Sequence, residues 1–229
     1  MINRCNIAFD ERVLFINNVS DIDEVRQYAD VKIKNNVIDK YYLVDDYADK
    51  ALDFFNISKN SFKGGYYYSI AELVGIYLCK TQYLLHFSSD STLEKNQSDW
   101  IEQALAVFST QKNVLVANPT WDFKYKEAKK ESIGELDDFY LGYGFSDQCY
   151  LIRADDFKKD IYNETHEASN RYPEYGGDLF EKRVDSYMRN HELLRITSKN
   201  SSYIHSNFPK KGLKRILRKF MLNHYKGWV

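Results

Sequence analysis

The stretches Tyr41-Tyr42-Leu43-Val44-Asp45-Asp46 and Tyr83-Leu84-Leu85-His86-Phe87-Ser88-Ser89-Asp90 decide the fold class of this chain. Each begins with an apolar and aromatic run typical of a buried strand and then turns to carboxylate residues. Helical patterns lie between such strands; residues 70–78, for example, repeat apolar side chains at the spacing of one helix face. Strands that alternate with helices predict an α/β fold, in which helices flank a mixed, mainly parallel sheet.

Carboxylates at the ends of these two strands are candidates for ligand binding. In an open α/β sheet, ligands bind beyond the carboxyl ends of the strands. Asp45 and Asp46 follow one strand and Asp90 follows another, so they could hold a hard divalent cation with a diphosphate, or accept hydrogen bonds from a ribose or base. The alternative is that these residues only end the strands and cap the next helices.

Composition and the missing motifs narrow the class of protein. The chain has 229 residues, 44% of them hydrophobic and 28% charged, which is enough for one folded domain without disulfides. The three cysteines, Cys5, Cys79 and Cys149, lack the paired spacing of zinc or redox sites. No HExxH, GxSxG or GxxxxGK[ST] motif is present, which disfavours zinc proteases, serine hydrolases and P-loop NTPases. Without a signal-peptide pattern or a long apolar run, we expect a cytoplasmic location.

Two finer predictions concern local structure. Ser20 and Asp23 have the spacing of a capping box, which predicts that Ser20 caps the first helix. Residues 119–144 are polar and irregular, which predicts a mobile excursion from the domain.

The acidic stretches resemble a known enzyme family. Val44-Asp45-Asp46-Tyr47-Ala48-Asp49-Lys50-Ala51 is similar to the VDDxSxDxT signature of family 2 glycosyltransferases, which have the GT-A fold. Residues 80–90 resemble the segment that leads into the DxD motif of that family. The resemblance implies a GT-A-like (Rossmann-like) sheet and an inverting transfer in cell-surface polysaccharide synthesis. The donor would be a nucleotide sugar, with UDP-sugars the first expectation, and the acceptor a hydroxyl of a glycan or lipid-linked molecule.

The same resemblance implies roles for individual residues. Nucleotide binding falls to the loosely PxYN-like stretch after the first strand and to the first aspartates: Asn17, Asn18, Val19, Asp45, Asp46 and Tyr47. Diphosphate and metal binding falls to Ser88 and Asp90, with His205 resembling the C-terminal histidine that binds the metal in several GT-A enzymes. The implied cofactor is Mn²⁺ or Mg²⁺.

Ser88 departs from the family pattern because it occupies the position of the first Asp of DxD. A hydroxyl is a poorer ligand for these cations than a carboxylate. The alternative function is therefore a non-catalytic protein that binds nucleotide sugars or glycans with a degenerate metal site.

Asp178 is the candidate catalytic base. Tyr175-Gly176-Gly177-Asp178-Leu179-Phe180-Glu181-Lys182-Arg183 is similar to the ED motif of the family, whose Asp has this role, although Gly177 replaces the Glu. An inverting transfer requires a carboxylate within hydrogen-bond reach of the acceptor hydroxyl. The alternative is that Asp178 caps the following helix.

The last twenty residues differ from the rest in charge. Residues 210–229 contain seven Lys or Arg and no acid, so residues 1–209 carry a net charge of −8 although the whole chain has −1. Apolar residues within 213–221 recur at helical spacing, which predicts a basic amphipathic helix after a glycosyltransferase domain spanning 1–209. Such a helix suits an anionic membrane and predicts peripheral attachment to the inner membrane face. The alternatives are docking on the domain itself or on a partner; no nucleic-acid module accompanies the tail, so we expect no nucleic acid.

Overall fold

The computed structural model describes residues 2–94 and 99–205, and the predicted basic helix at 210–229 lies outside them. The strands in the described residues are β1 Val13–Ile16, β2 Lys40–Leu43, β3 Tyr83–Phe87, β4 Ser91–Leu93, β5 Val114–Trp121, β6 Gly134–Leu136, β7 Phe139–Gly142, β8 Cys149–Arg153 and β9 Leu194–His205. The α-helices there are α1 Ile22–Lys34, α2 Ala48–Phe54, α3 Ile70–Leu78, α4 Trp100–Thr110, α5 Tyr125–Glu131, α6 Ala154–Phe157 and α7 Phe180–Asn190.

The strands form a mixed arrangement flanked by helices, which confirms the predicted α/β class. β1 and β2 pair in parallel, and the larger sheet has the order β3-β8-β5-β9-β7-β6, with β4 added against β9. Only β5 and β9 pair in parallel within this larger sheet, so antiparallel neighbours are more numerous than the sequence predicted.

Strand direction determines which loops meet. β3 and β5 both run antiparallel to β8, and β9 runs parallel to β5. The carboxyl ends of β3, β5 and β9 therefore share one edge of the sheet with the start of β8. We call the residues at this end the strand-end cluster; they are Ser88–Ser91, Asp122, Asp147, Gln148 and His205.

The core lies on both faces of the sheet because side chains alternate along each strand. On β8, Tyr150 and Ile152 pack into a cluster with α2, α3 and α7, whereas Cys149 and Leu151 pack with α4 on the other face. None of the three cysteines forms a disulfide within the described residues, and burial raises the pKa of Cys5 to about 11, which makes it an unreactive core thiol.

Two local predictions were wrong. The side chain of Asp21, not Ser20, accepts a hydrogen bond from the backbone N of Glu24 and caps α1. Residues 119–144 contain the end of β5 and then α5, β6 and β7, not an irregular excursion. Pro119 interrupts the ladder, since the β5–β9 register shifts between Asn118 and Thr120. A proline cannot donate a ladder hydrogen bond, so it fits in the sheet at such an irregularity.

Candidate functional site

The side chains of Asp90 and His205 are in contact within the strand-end cluster. The Ser88 carbonyl accepts a hydrogen bond from the Ser91 N, which forms a tight turn from β3 into β4, and Ser91 pairs with His205 on β9. This turn places Asp90 Oδ2 3.0 Å from Nε2 of His205, with each side chain 29% exposed. The backbone N of His205 donates to Oδ1 of Asp122, the first residue after β5, over 2.9 Å. The structure therefore brings together Ser88, Asp90 and His205, which the sequence predicted as one site.

A series of polar contacts continues from Asp90 into the protein. The Ser88 Oγ lies 3.0 Å from Oδ1 of Asp90 and 2.8 Å from Oε1 of Gln148. The Gln148 Nε2 donates to Oδ1 of Asp147 over 2.8 Å, and the Asp147 N donates to Oε1 of Glu181 over 2.9 Å. His205 on β9 is thus linked, through adjacent contacts, to Glu181 in the first turn of α7.

Asp147 and Glu181 form a partly buried pair of carboxyl groups at the inner end of this series of contacts. Burial, and then the neighbouring Asp147, raise the pKa of Glu181 to about 8. Burial also raises the pKa of Asp147 above its ordinary value. Because two desolvated carboxylates side by side disfavour full ionisation, the pair retains a proton up to about pH 8. Groups that titrate this close to neutrality are suited to acid–base chemistry.

A second layer of polar side chains lies behind the pair. Glu72 of α3 is only 8% exposed; its Oε2 accepts from the Tyr150 hydroxyl over 2.7 Å and lies 3.2 Å from Nδ1 of His86. Burial raises the pKa of Glu72 and lowers that of His86 to about 4. Because His86 is neutral at neutral pH, its contact with Glu72 is not an ion pair. The His86 ring also stacks on Tyr150 with a centroid separation of 4.7 Å, which fixes both side chains below the strand-end cluster.

The six predicted nucleotide-binding residues follow β1 and β2. Since Ile16 pairs with Leu43 in a parallel ladder, the chain leaves both strands at the same end of the ladder. Asn17, Asn18 and Val19 directly follow β1, and Asp45, Asp46 and Tyr47 follow β2 after Val44.

Their side chains differ in availability. Asp45 and Asp46 are exposed, and no ion pair engages either of them in the described parts of the chain. The Asn17 Nδ2 donates to the Tyr67 carbonyl over 2.9 Å, while its buried Oδ1 has no hydrogen-bond partner among the described residues. Tyr47 is partly buried, with its ring against Tyr42 at 5.3 Å. The exposed carboxylates of Asp45 and Asp46 can accept hydrogen bonds from a ribose or a base.

Helix α3 connects these two groups of residues. Tyr67, whose carbonyl accepts from Asn17, lies just before α3, and Glu72, which contacts His86 of β3, is in its first turn. The start of α3 therefore lies between Asn17 on one side and β3 on the other.

Asp178 lies in a cleft that is separate from the Asp90–His205 contact. Its Oδ1 is 3.1 Å from the Lys182 Nζ, and its side chain is 44% exposed. The helix cap is Leu179, so the alternative that Asp178 caps α7 is not what the structure shows. Asp178 lines a polar cleft of about 300 Å³ together with Asn56, Ser58, Ser61, Asn163, Glu164, Thr165, Lys182, Arg183 and Ser186. None of Ser88, Asp90 and His205 lines this cleft.

The strand-end cluster has donor atoms that could hold a divalent cation together with its substrate. In the described ranges 2–94 and 99–205 no three His, Cys, Asp or Glu side chains converge closely enough to hold a metal alone. Asp90 and His205 offer one carboxylate and one imidazole, with 3.0 Å between Oδ2 and Nε2. Mg²⁺ is commonly bound through one or two carboxylates, with phosphate oxygens and water completing its shell, whereas imidazole suits transition metals better. The Asp90 carboxylate would therefore be sufficient for Mg²⁺ if a diphosphate supplied the other ligands.

The sequence analysis missed Asp147, Gln148 and Glu181. Asp147 and Gln148 precede β8, whereas the predicted site residues were acids that follow strands. They reach the site because β8 runs antiparallel to β3 and β5, and no residue pattern indicated that direction. Glu181 was within the quoted ED-like segment, three residues after Asp178, and a Glu in the first turn of a helix was the available signal.

Comparisons with known proteins do not add a family assignment. No protein-family model matches this chain, and no curated protein sequence matches it. Among the helices of the described ranges, none has both the length and the apolar character required to cross a bilayer.

Proposed function

We propose that this protein is a glycosyltransferase that moves a sugar from a nucleotide-sugar donor, with UDP-sugars favoured, to a hydroxyl of a glycan or lipid-linked acceptor. The observation that supports the proposal is the series of polar contacts from His205 and Asp90 to Asp147 and Glu181. It would link the proposed metal ligands to a carboxyl pair in which the pKa of Glu181 is raised to about 8. The two requirements of the reaction, binding a diphosphate and accepting a proton, would then be met by neighbouring residues.

On the donor side, the proposed roles follow strand position. Asp45 and Asp46 would accept hydrogen bonds from the nucleoside, while Asp90 and His205 would hold Mg²⁺ or Mn²⁺. The cation, when bound, offsets the charge of the diphosphate leaving group. Ser88 contributes by orienting Asp90, since its Oγ lies 3.0 Å from that carboxylate.

On the acceptor side, the reaction requires a base. The acceptor oxygen loses its proton to a carboxylate, bonds to the anomeric carbon, and displaces the nucleoside diphosphate from the opposite face. Asp178 was the candidate from sequence, but Glu181 is the one connected to the Asp90–His205 pair. We propose the Asp147–Glu181 pair as the base, with Asp178 as the competing assignment.

A test of the base compares two isosteric variants. Glu181→Gln should lower turnover by about 100-fold or more, because general-base catalysis contributes that much, while donor binding persists. Asp178→Asn should reduce turnover by less than about tenfold if it only borders the cleft. Both rates come from release of nucleoside diphosphate in the presence of acceptor. Loss of turnover confined to Asp178→Asn would assign the base to Asp178 instead.

The second candidate function is a non-catalytic protein that binds nucleotide sugars or glycans. It is favoured by Ser88, whose hydroxyl is fully engaged with its neighbours and replaces a metal-binding carboxylate. A screen of nucleotide sugars with and without Mn²⁺ separates the two functions. Thermal stabilisation followed by Mn²⁺-dependent hydrolysis or transfer supports the enzyme, and stabilisation without turnover supports the binding protein.

Metal-dependent binding should depend on Asp90. Asp90→Ala should abolish the Mn²⁺-dependent part of the stabilisation by UDP, because it removes the only carboxylate of the proposed ligand pair. Asp155→Ala, which changes an acid in the first turn of α6, is the matched control. Unchanged Mn²⁺ dependence in Asp90→Ala would remove Asp90 from the proposed metal site.

A further inference from the structure

Two arginines approach each other above a glycine. A Cβ atom at Gly144 would overlap Nη2 of Arg171 and lie 3.4 Å from Nη1 of Arg195. Gly144 has a φ of 101°, a backbone conformation that side-chain-bearing residues rarely adopt. The glycine therefore leaves open a small space bordered by terminal nitrogens of both guanidinium groups.

The positive charge at this place is not neutralised within the described residues. No carboxylate forms an ion pair with Arg195 there; Glu131 acts on it electrostatically but is not paired with it. The Nε of Arg195 is buried without a hydrogen-bond partner. Burial lowers the pKa of Arg195, and the charge of Arg171 adds to this effect. An unpaired guanidinium beside a second one is costly unless an anion offsets both.

Asp185 offsets only part of this charge. Its Oδ1 lies 3.6 Å from Nη2 of Arg171, but also 3.1 Å from Nε of Arg189, and its Oδ2 accepts from Ser169 over 2.7 Å. Asp185 is fully buried and committed to these nearer partners. Arg171 also donates to the Tyr172 hydroxyl over 3.3 Å, which holds its end near Gly144.

A ring contact holds Arg195 in place. The guanidinium of Arg195 lies over the ring of Trp121 at 6.0 Å, and such stacking orients the guanidinium plane. Trp121 directly precedes Asp122, whose carboxylate binds the His205 backbone. Two arginines can each bind phosphate oxygens through paired N–H donors.

We propose that Arg171 and Arg195 form a binding site for a phosphate group beside Gly144. The phosphate would belong either to the donor diphosphate or to a separate phosphorylated molecule such as a lipid-linked acceptor. This site does not require the protein to be a glycosyltransferase, because it rests on the arginine pair alone.

The test is a titration of the full-length protein with inorganic phosphate at constant ionic strength, in which the melting temperature is measured at each phosphate concentration. Wild type should show saturable stabilisation. Arg195→Gln should raise the half-saturating concentration at least about tenfold, while the melting temperature without phosphate stays the same or rises, because repulsion is relieved. Saturation absent from wild type, or unchanged in Arg195→Gln, would overturn the proposal.

Arg153→Gln is the matched control. Arg153 is similarly sheltered, with a side chain 15% exposed, but it has protein partners in Asp156, the Phe108 carbonyl and the Val114 carbonyl. This control should lower the melting temperature and leave the phosphate titration unchanged. If Arg195→Gln instead behaves like Arg153→Gln, Arg195 is structural and the site is wrong.

A second titration distinguishes the sources of the phosphate. If the site holds the donor diphosphate, Arg195→Gln should weaken UDP binding as Asp90→Ala does. If it holds a separate phosphate, UDP binding should be unchanged in Arg195→Gln while the response to inorganic phosphate is lost. A phosphate response lost in Asp90→Ala but retained in Arg195→Gln would place the anion at the metal ligands and contradict the proposal.

Discussion

At the scale of single residues, the contacts around Ser88 favour a neutral side chain at this position. Its Oγ has one hydrogen but three close oxygens, on Asp90, Ser91 and Gln148. A carboxylate in its place would put a second negative charge against the Asp90 carboxylate and the Gln148 Oε1. A neutral side chain that can both donate and accept is therefore the better match for the chain of contacts at this position.

The Asp147–Glu181 pair predicts an unusual pH dependence of stability. Burial raises the pKa of Glu181 from 4.5 in the unfolded chain to about 8, so the folded protein retains a proton that the unfolded chain releases. The stabilisation is complete below about pH 4.5 and is lost as the pH rises through about 8.

Glu181→Gln should remove this dependence. The variant cannot ionise, and its amide oxygen can still accept the hydrogen bond from Asp147 N. We expect a free energy of unfolding about 1–3 kcal/mol higher than wild type at pH 8.5, with little difference at pH 4.5. Urea unfolding at both pH values measures it. An equal pH slope in the two proteins would show that Glu181 is not the group with the raised pKa.

At the scale of elements, the approach of the chain to α7 depends on Gly177. It has a φ of 63°, and a Cβ atom there would overlap the Ser61 carbonyl oxygen and lie 2.9 Å from the Phe62 carbonyl carbon. The loop before α7 therefore packs directly on the backbone of the segment after α2, which sets the position of Asp178 and Glu181.

Gly177→Ala should cost about 1–3 kcal/mol of stability, because it combines an unfavourable φ with a backbone overlap. The matched control is Gly134→Ala in β6, where the new methyl would lie 3.6 Å from Leu141 Cδ1, an ordinary contact. Denaturant unfolding of both variants measures the difference. Equal stability of the two would mean that the α7 loop can move away from Ser61, and that the position of Glu181 is not rigidly set.

The elements predictable from sequence were those with strong local patterns. β3 was predicted with its observed bounds, and α3 with its apolar face, because each pattern determines burial on its own. β6 and β7 were missed because their stability comes from pairing with each other and with β9, which no local pattern records. The site followed the same rule, since Asp90 came from a strand end but Asp147 required the antiparallel direction of β8.

At the scale of the molecule, opposite charges occupy different parts of the chain. Residues 1–209 have a net charge of −8, and residues 210–229 have seven basic residues and no acidic ones. An acidic domain is repelled by an anionic bilayer, so any attraction must come from the tail. Each basic residue near such a surface contributes about 1 kcal/mol, which is enough for peripheral binding when several act together.

The full-length protein should therefore sediment with vesicles that contain phosphatidylglycerol and should remain in solution with purely zwitterionic vesicles. Deletion of residues 210–229 should abolish the binding, and 0.5 M salt should weaken it strongly, because charge attraction over about 10 Å is screened. Replacing the seven Lys and Arg of the tail by Gln, with its apolar residues kept, separates charge from apolar insertion. Binding that survives the deletion would show that the domain itself meets the membrane, and binding that survives only the Gln replacement would assign the attachment to the apolar residues of the tail.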